Sequence, residues 1–215
     1  MGKLTFDGAK LGLWEGFSIS TVGEFNYGDN LNGDGGTLLA VNTALNFPQN
    51  GGSGGDVSLT LTQRFGERVS LTVGKFNMID AASRTPLLGG GGIDSFWNTG
   101  LAAPFTGLVP PYLTGAALNI STQPAQISLM IYDPQNAQQR TGLDHWGDDN
   151  VTGRLSLTFQ AKIAGRTGYH TLQAIGSGKT GTDLADIRAL ILPPGSDRTL
   201  GTNQGILNLQ IRNPW

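Results

Sequence analysis

A chain of 215 residues with 33 Gly, 10 Pro and only 14% charged side chains has room for one large all-β domain or two small ones, and its net charge of −2 offers no basic field to nucleic acid. The lack of cysteine excludes disulfides and thiolate metal sites. No run of about 18 apolar residues is present, which excludes a transmembrane helix but not transmembrane strands, where only alternate residues are apolar. The start, MGKLTFDGAKLGLW, lacks a charged stretch followed by an apolar one, so the expectation is a cytoplasmic protein or a mature or truncated piece of an exported one.

In chain order, LTFDGAKLGLW reads as a further strand or an N-terminal arm. Phe17 to Tyr27 is the first clear strand, with Phe17, Ile19, Phe25 and Tyr27 on one parity and Ser18, Ser20, Glu24 and Asn26 on the other. Thr37 to Phe47 reads as a second strand of weaker alternation, followed by a flexible Gly-rich connector over 51–55. Asp56 to Asn77 is a hairpin of two strands of about ten residues. Val57, Leu59, Leu61, Val69, Leu71 and Val73 give it an aliphatic face, and Ser58, Thr60, Thr62, Ser70 and Thr72 a hydroxyl face.

Met78 to Pro111 shows no periodicity and reads as a long loop, packed rather than disordered because it holds Phe96, Trp97 and Phe105. Thr114–Thr122 then pairs with Ala125–Tyr132. Val151–Ile163, the cleanest alternation in the chain, pairs with a strand over Tyr169–Ser177. The stretch 178–204 is a loop, with one short helical turn expected in DLADIRALILPPG, and Ile206–Arg212 is a last strand.

The connections alternate. Those at 65–68, 123–124 and 164–168 are short, and those at 78–111, 134–149 and 178–204 are long. Short turns on one rim and long loops on the other describe an outer-membrane barrel, whereas sandwiches with Greek-key connections seldom alternate so regularly. In a barrel the aliphatic parity faces lipid and the Ser, Thr, Asn, Gln, Arg and Lys parity lines a wet lumen. Arg64, Arg154 and Lys162 fall on that polar parity, and guanidinium and amide groups suit sugar hydroxyls or anions. Phe17, Tyr27, Phe47, Phe65, Tyr112, Tyr132 and Tyr169 stand near strand ends, where an interfacial aromatic girdle is expected.

Catalytic and cofactor signals are weak. His145 and His170 have no metal-ligand spacing, and Asp144, Asp148 and Asp149 lack the alternation of a calcium loop. GSGKTGT at 176–182 lacks the first glycine of a phosphate loop and has no helix to open. No nucleophile elbow occurs. Neither metal, cofactor nor enzymatic activity is expected.

Five segments, LTFDGAKLGLWEGFSIS, GGTLLAVNTALNFP, LTLTQRFGERVSLTVGKFNMID, GGGIDSFWNTGLAAPFTGLVPPYLTGA and SLMIYDPQNAQQRTGLD, together resemble the carbohydrate-selective porin family, the OprB-type outer-membrane porins. LTQRFGERVSLTVGKFNMID and FWNTGLAAPFTGLVPP are the specific ones. The resemblance covers roughly residues 4–144 densely and thins toward 203. It implies a bacterial outer-membrane location, outer-membrane lipid and carbohydrate solutes as partners, passive sugar diffusion, and an up-and-down transmembrane barrel of about 16 antiparallel strands. It also implies lumen-facing polar and charged groups that narrow the pore. By position these are Glu24, Arg64, Lys75, Asn77, Asp94, Asn98 and Arg154. The chain holds nine or ten of the strands, so residues 1–215 are expected to be a single, incomplete barrel domain, monomeric or trimeric. The other readings are a soluble β-sandwich carbohydrate-binding, lectin-like module, and a complete small barrel of eight to ten strands. What separates the three is whether the sheet is closed, curled but open, or doubled.

Overall fold

The computed structural model describes residues 2–28, 52–82, 110–123, 125–144, 146–147, 151–163, 165–178 and 206–212. They form one nine-stranded sheet in which every strand is hydrogen-bonded to the next in sequence. The strands are β1 (Gly2–Asp7), β2 (Phe17–Gly28), β3 (Gly52–Phe65), β4 (Val69–Asn77), β5 (Tyr112–Ser121), β6 (Ala125–Tyr132), β7 (Thr152–Ile163), β8 (Arg166–Ser177) and β9 (Ile206–Arg212). Each neighbouring pair is antiparallel, and β1 and β9 are the outer edges of an open, up-and-down sheet. Helix is confined, among the described residues, to a 3-10 turn at Ala9–Leu11 and a short α1 (Met78–Ala82).

LTFDGAKLGLW divides: its first part is β1, registered against β2 from Gly2↔Gly23 to Asp7↔Ser18, and the rest is the turn. The expected strand at Thr37–Phe47 lies outside the described residues, and β2 pairs directly with β3. β8 starts at Arg166, earlier than the expected Tyr169, because Gly165 takes a positive φ of 78° and lets the turn tighten. The helical turn expected in 184–195 lies outside the described residues.

Alternation of connection length holds around the sheet. β1–β2, β3–β4, β5–β6 and β7–β8 are joined across short spans at one rim, and 29–51, 83–111, 133–151 and 178–205 connect strands at the other.

The two faces are unlike. Ser18↔Thr62, Thr62↔Thr72 and Ser156↔Gln173 are directly opposed pairs of one polar face, and Ile19↔Leu61, Leu61↔Val73 and Leu118↔Leu129 are pairs of the apolar face. Burial runs against residue type. Leu59 is 50% exposed while its neighbour Ser58 is 3% exposed. Val57, Leu61, Leu71, Val73, Ile127, Leu129, Ile131 and Leu155 are exposed as well, while Thr114, Thr152, Ser156 and Gln173 are buried.

The polar face is buried because it is concave. On a flat sheet β2 and β5 stand roughly 14 Å apart, three strand spacings of about 4.8 Å. Yet the Tyr112 hydroxyl on β5 donates a hydrogen bond to Glu24 on β2. Likewise Lys3 on β1 reaches Asp80 of α1 at 2.8 Å, across β2 and β3. Only a sheet curled toward its polar side brings these ends together. Among the described residues the buried apolar cluster is Leu113, Ala117, Met130 and Tyr132, with Phe76 and Met78 against it.

Candidate functional site

The concave face carries its densest polar cluster near the long-connection rim. β2 supplies Glu24, β3 Asp56, β4 Lys75 and Asn77, and β5 Tyr112. Glu24 and Asp56 are directly opposed, on the same parity as Val22 and Ser58. Lys75 and Asn77 would by simple alternation follow Val73 onto the convex face. They do not, because Gly74 has a φ of 133° and shifts the side-chain phase of β4. Gly74 is registered between Thr60 on one side and Gly115 on the other. A Cβ on Gly74 would land on the Leu59 carbonyl oxygen, and one on Gly115 on that of Ile131. On β5, Tyr112 and Thr114 lie opposite Asn77 and Lys75, and Tyr112, Leu113 and Thr114 are all buried.

In the cluster, Asn77 Nδ2 donates to Glu24 Oε1 at 2.7 Å and to the Tyr112 hydroxyl at 3.2 Å, and that hydroxyl donates to Glu24 Oε2. Lys75 Nζ pairs with Asp56, and it also lies 5.1 Å from the centre of the Tyr112 ring. The Lys75 and Asp56 side chains are only 12% and 7% exposed, so this pair is withdrawn from bulk water. Asn77 Oδ1 accepts from the Asp80 backbone N–H at 3.1 Å, which caps α1.

The segment following β6 folds back over this cluster. Asp133 N–H donates to Thr114 O, Ala137 N–H to Tyr112 O, and the Thr114 hydroxyl to Thr141 O. Gln139, held at a positive φ of 59°, donates its N–H to Asp56 Oδ2 at 2.8 Å. Residues 133–144 therefore form a strap from β6 across β5 and β4 to β3, laid on the concave side. The result is a rim region of carboxylate, amide, phenol and ammonium groups, the donor and acceptor types that match a hydroxyl-rich solute.

Of the residues singled out from the sequence, Glu24, Lys75 and Asn77 come together here. Arg64 is exposed at the other end of β3, opposite Ser70. Arg154 lies on the concave parity of β7, opposite Met130 and Ile175, with its Nε donating to Ser156 Oγ at 3.4 Å. Asp94 and Asn98 lie outside the described residues. Asp56, Tyr112 and Gln139 were missed. The parity of Asp56 with Ser58 and Thr60 was a usable signal, whereas nothing in the alternation marks Gln139.

The aromatic girdle needs correction. Tyr27, Phe65 and Tyr169 are exposed, but Tyr112 and Tyr132 are 1% and 0% exposed. Tyr112 lies opposite Asn77 and its hydroxyl meets Glu24 on the concave side, and Tyr132 shares the concave parity of Met130 and Thr152. Phe47 lies outside the described residues. Among the described residues, no His, Cys, Asp and Glu side chains gather in a group that could hold a metal ion, and no helix is long and apolar enough to cross a membrane. Comparison with known protein families, with curated proteins and with solved structures finds no match to any of the three.

Proposed function

We propose that this sheet is part of the wall of an outer-membrane barrel that conducts carbohydrates by passive diffusion, its convex face against lipid and its concave face against the solute. The observation that carries the reading is the inversion of burial: aliphatic side chains such as Leu59 are open on the convex face and hydroxyls such as Ser58 are closed off on the concave one. Water penalises that arrangement, since apolar area gains only when it leaves water, at about 25 cal/mol per Å². Hydrocarbon favours it. Among the described residues no second layer covers the convex face, as a lectin-like sandwich would require. The polar cluster at the rim supports a sugar as the solute: half-buried Glu24 is the group that would meet it, held in place by the buried Asn77 and Tyr112.

An environment-sensitive fluorophore attached through single cysteine substitutions tests the faces. Leu59→Cys and Leu61→Cys should shift to the blue when the chain folds into phosphatidylcholine vesicles, and Thr60→Cys and Thr62→Cys should not. A soluble sandwich gives no lipid-dependent shift at any of the four. Addition of a neutral hexose in the millimolar range should perturb the side-chain NMR signals of Asn77 and Tyr112 and leave those of Arg64 unchanged.

A further inference from the structure

The charges of the concave rim do not all find partners there. Lys3 is taken by Asp80 at 2.8 Å, and Lys75 by Asp56. On the strap, Arg140 lines one small hollow with Asp133 and Asp144. Arg64 lies at the far end of β3, and Arg154 on β7 stands five strands from β2. Glu24 is left: among the described residues no ammonium or guanidinium comes within ion-pair distance of it. It is nonetheless fixed. Asn77 Nδ2 donates to its Oε1 at 2.7 Å and the Tyr112 hydroxyl to its Oε2, and both donors are buried. These donors are neutral, so they hold the carboxylate without cancelling its charge. A carboxylate accepts at about four sites, so each oxygen keeps acceptor capacity beyond these bonds. That capacity is within reach of a solute. Glu24 is half-buried, and the strap's bonds to the sheet end at Asp56 on β3, one strand short of it.

We infer that Glu24 makes this path select by charge: a hexose bearing an ammonium group is favoured over a neutral one, and a hexose bearing a carboxylate is disfavoured. A sugar hydroxyl can fill the remaining acceptor sites of Glu24. An ammonium fills them with three donors and also offsets the charge that the cluster leaves open. An anionic sugar meets the opposite. Glu24 and Asp56 are directly opposed on neighbouring strands, and the nearby Lys75 is already engaged by Asp56. Were Glu24 only a brace between β2 and β5, a neutral amide in its place would serve as well, and the charge of the solute would not matter. The inference rests on the concave face meeting sugars, and adds which class of sugar it selects.

NMR titration of the chain in micelles of a sugar-free zwitterionic detergent tests it, with the Asn77 side-chain amide as reporter. The probes are glucosamine, glucose and glucuronate, at low salt and about pH 6, where the amine is protonated and the acid ionised. Glucosamine should half-saturate the reporter at about one fifth of the glucose concentration, the effect of one partly exposed ion pair, and glucuronate should need more than glucose. High salt should narrow the spread in the wild-type chain. Glu24→Gln keeps an acceptor for Asn77 or Tyr112 and should bring the three probes together. Wild type that binds glucosamine no better than glucose overturns the inference, as does a Glu24→Gln variant that keeps the order. The same titrations separate it from the reading it rests on. Glucose that perturbs Asn77 as strongly as glucosamine leaves the sugar path standing and removes the selection by charge. Glucosamine that perturbs Asn77 where glucose does so at no concentration does the reverse, and silence of all three removes both.

Discussion

At the scale of single residues, Gly74 decides what the site contains. An alanine there must adopt a φ of 133° and place its Cβ on the Leu59 carbonyl, so the strand has to rephase or unfold. Gly74→Ala should destabilise the chain by about 3 kcal/mol or more in urea unfolding from detergent micelles, from strain and lost contacts together. Gly23, whose Cβ would meet open space, should accept alanine at little cost. Lys75 gives a second test. Its partner Asp56 is nearly enclosed, so Lys75→Met strands a carboxylate and should cost about 3–5 kcal/mol, while Asp56→Asn in the same background should recover a large part of it. Tyr112→Phe removes the hydroxyl that joins β5 to Glu24 and should cost about 1–3 kcal/mol, the range for a buried acceptor losing its donor. The sequence could not show why Lys75 and Asn77 point inward, because period-two alternation assigns them to the same face as Val73. The glycine that rephases the strand is an ordinary member of the alternation until its backbone is seen.

At the scale of elements, the β3–β4 hairpin was the most readable part of the chain. Two rows of strictly alternating Ser or Thr and Val or Leu, separated by Phe65-Gly66-Glu67-Arg68, admit one register, and Thr62↔Thr72 and Leu61↔Val73 follow. β5–β6 and β7 were equally legible for the same reason. β1 was ambiguous because a six-residue strand is too short for alternation to stand out from the apolar turn that follows it. The strap over 133–144 was illegible: its hold on the sheet runs through the backbone of Asp133, Ala137, Gln139 and Thr141, groups every sequence possesses. Face by face, the hairpin yields a sharp contrast. Leu59→Arg puts a guanidinium on the convex side and should cost about 2–4 kcal/mol of folding free energy in vesicles if that position is near the bilayer midplane. Thr60→Arg, one residue on and facing inward, should cost less than half of that. Equal costs, read from urea titrations of the two variants in the same lipid, would argue against a lipid-facing wall.

At the scale of the whole molecule, the sheet is a curled ribbon with two edges. The backbone groups along the outer sides of β1 and β9 have no strand partner in the sheet, and hydrocarbon offers none. The chain by itself should therefore give no stable single-channel steps in planar bilayers, and a sample that does would overturn the incomplete-wall reading. The strand count sharpens the requirement. With nine strands in strict alternation, β1 and β9 run in the same direction, so antiparallel closure takes an odd number of further strands. At this scale composition and alternation gave an all-β chain of two-faced strands, and the alternation of short and long connections gave their up-and-down order, while a sandwich and a closed small barrel stayed open. For a barrel, alternation put the hollow on the polar side, and the structure curls that way. That follows from the reach of Tyr112 and Lys3 across the intervening strands.

An odd number of alternating strands also gives the ribbon a sidedness. Gly2 opens β1 at the rim of the long connections, and Arg212 closes β9 at the rim of the short ones. In the outer-membrane wall proposed above, a peptide epitope ahead of Gly2 and another behind Arg212 would emerge into different compartments. In intact cells an impermeant antibody should find the first and miss the second, and lysis should uncover both.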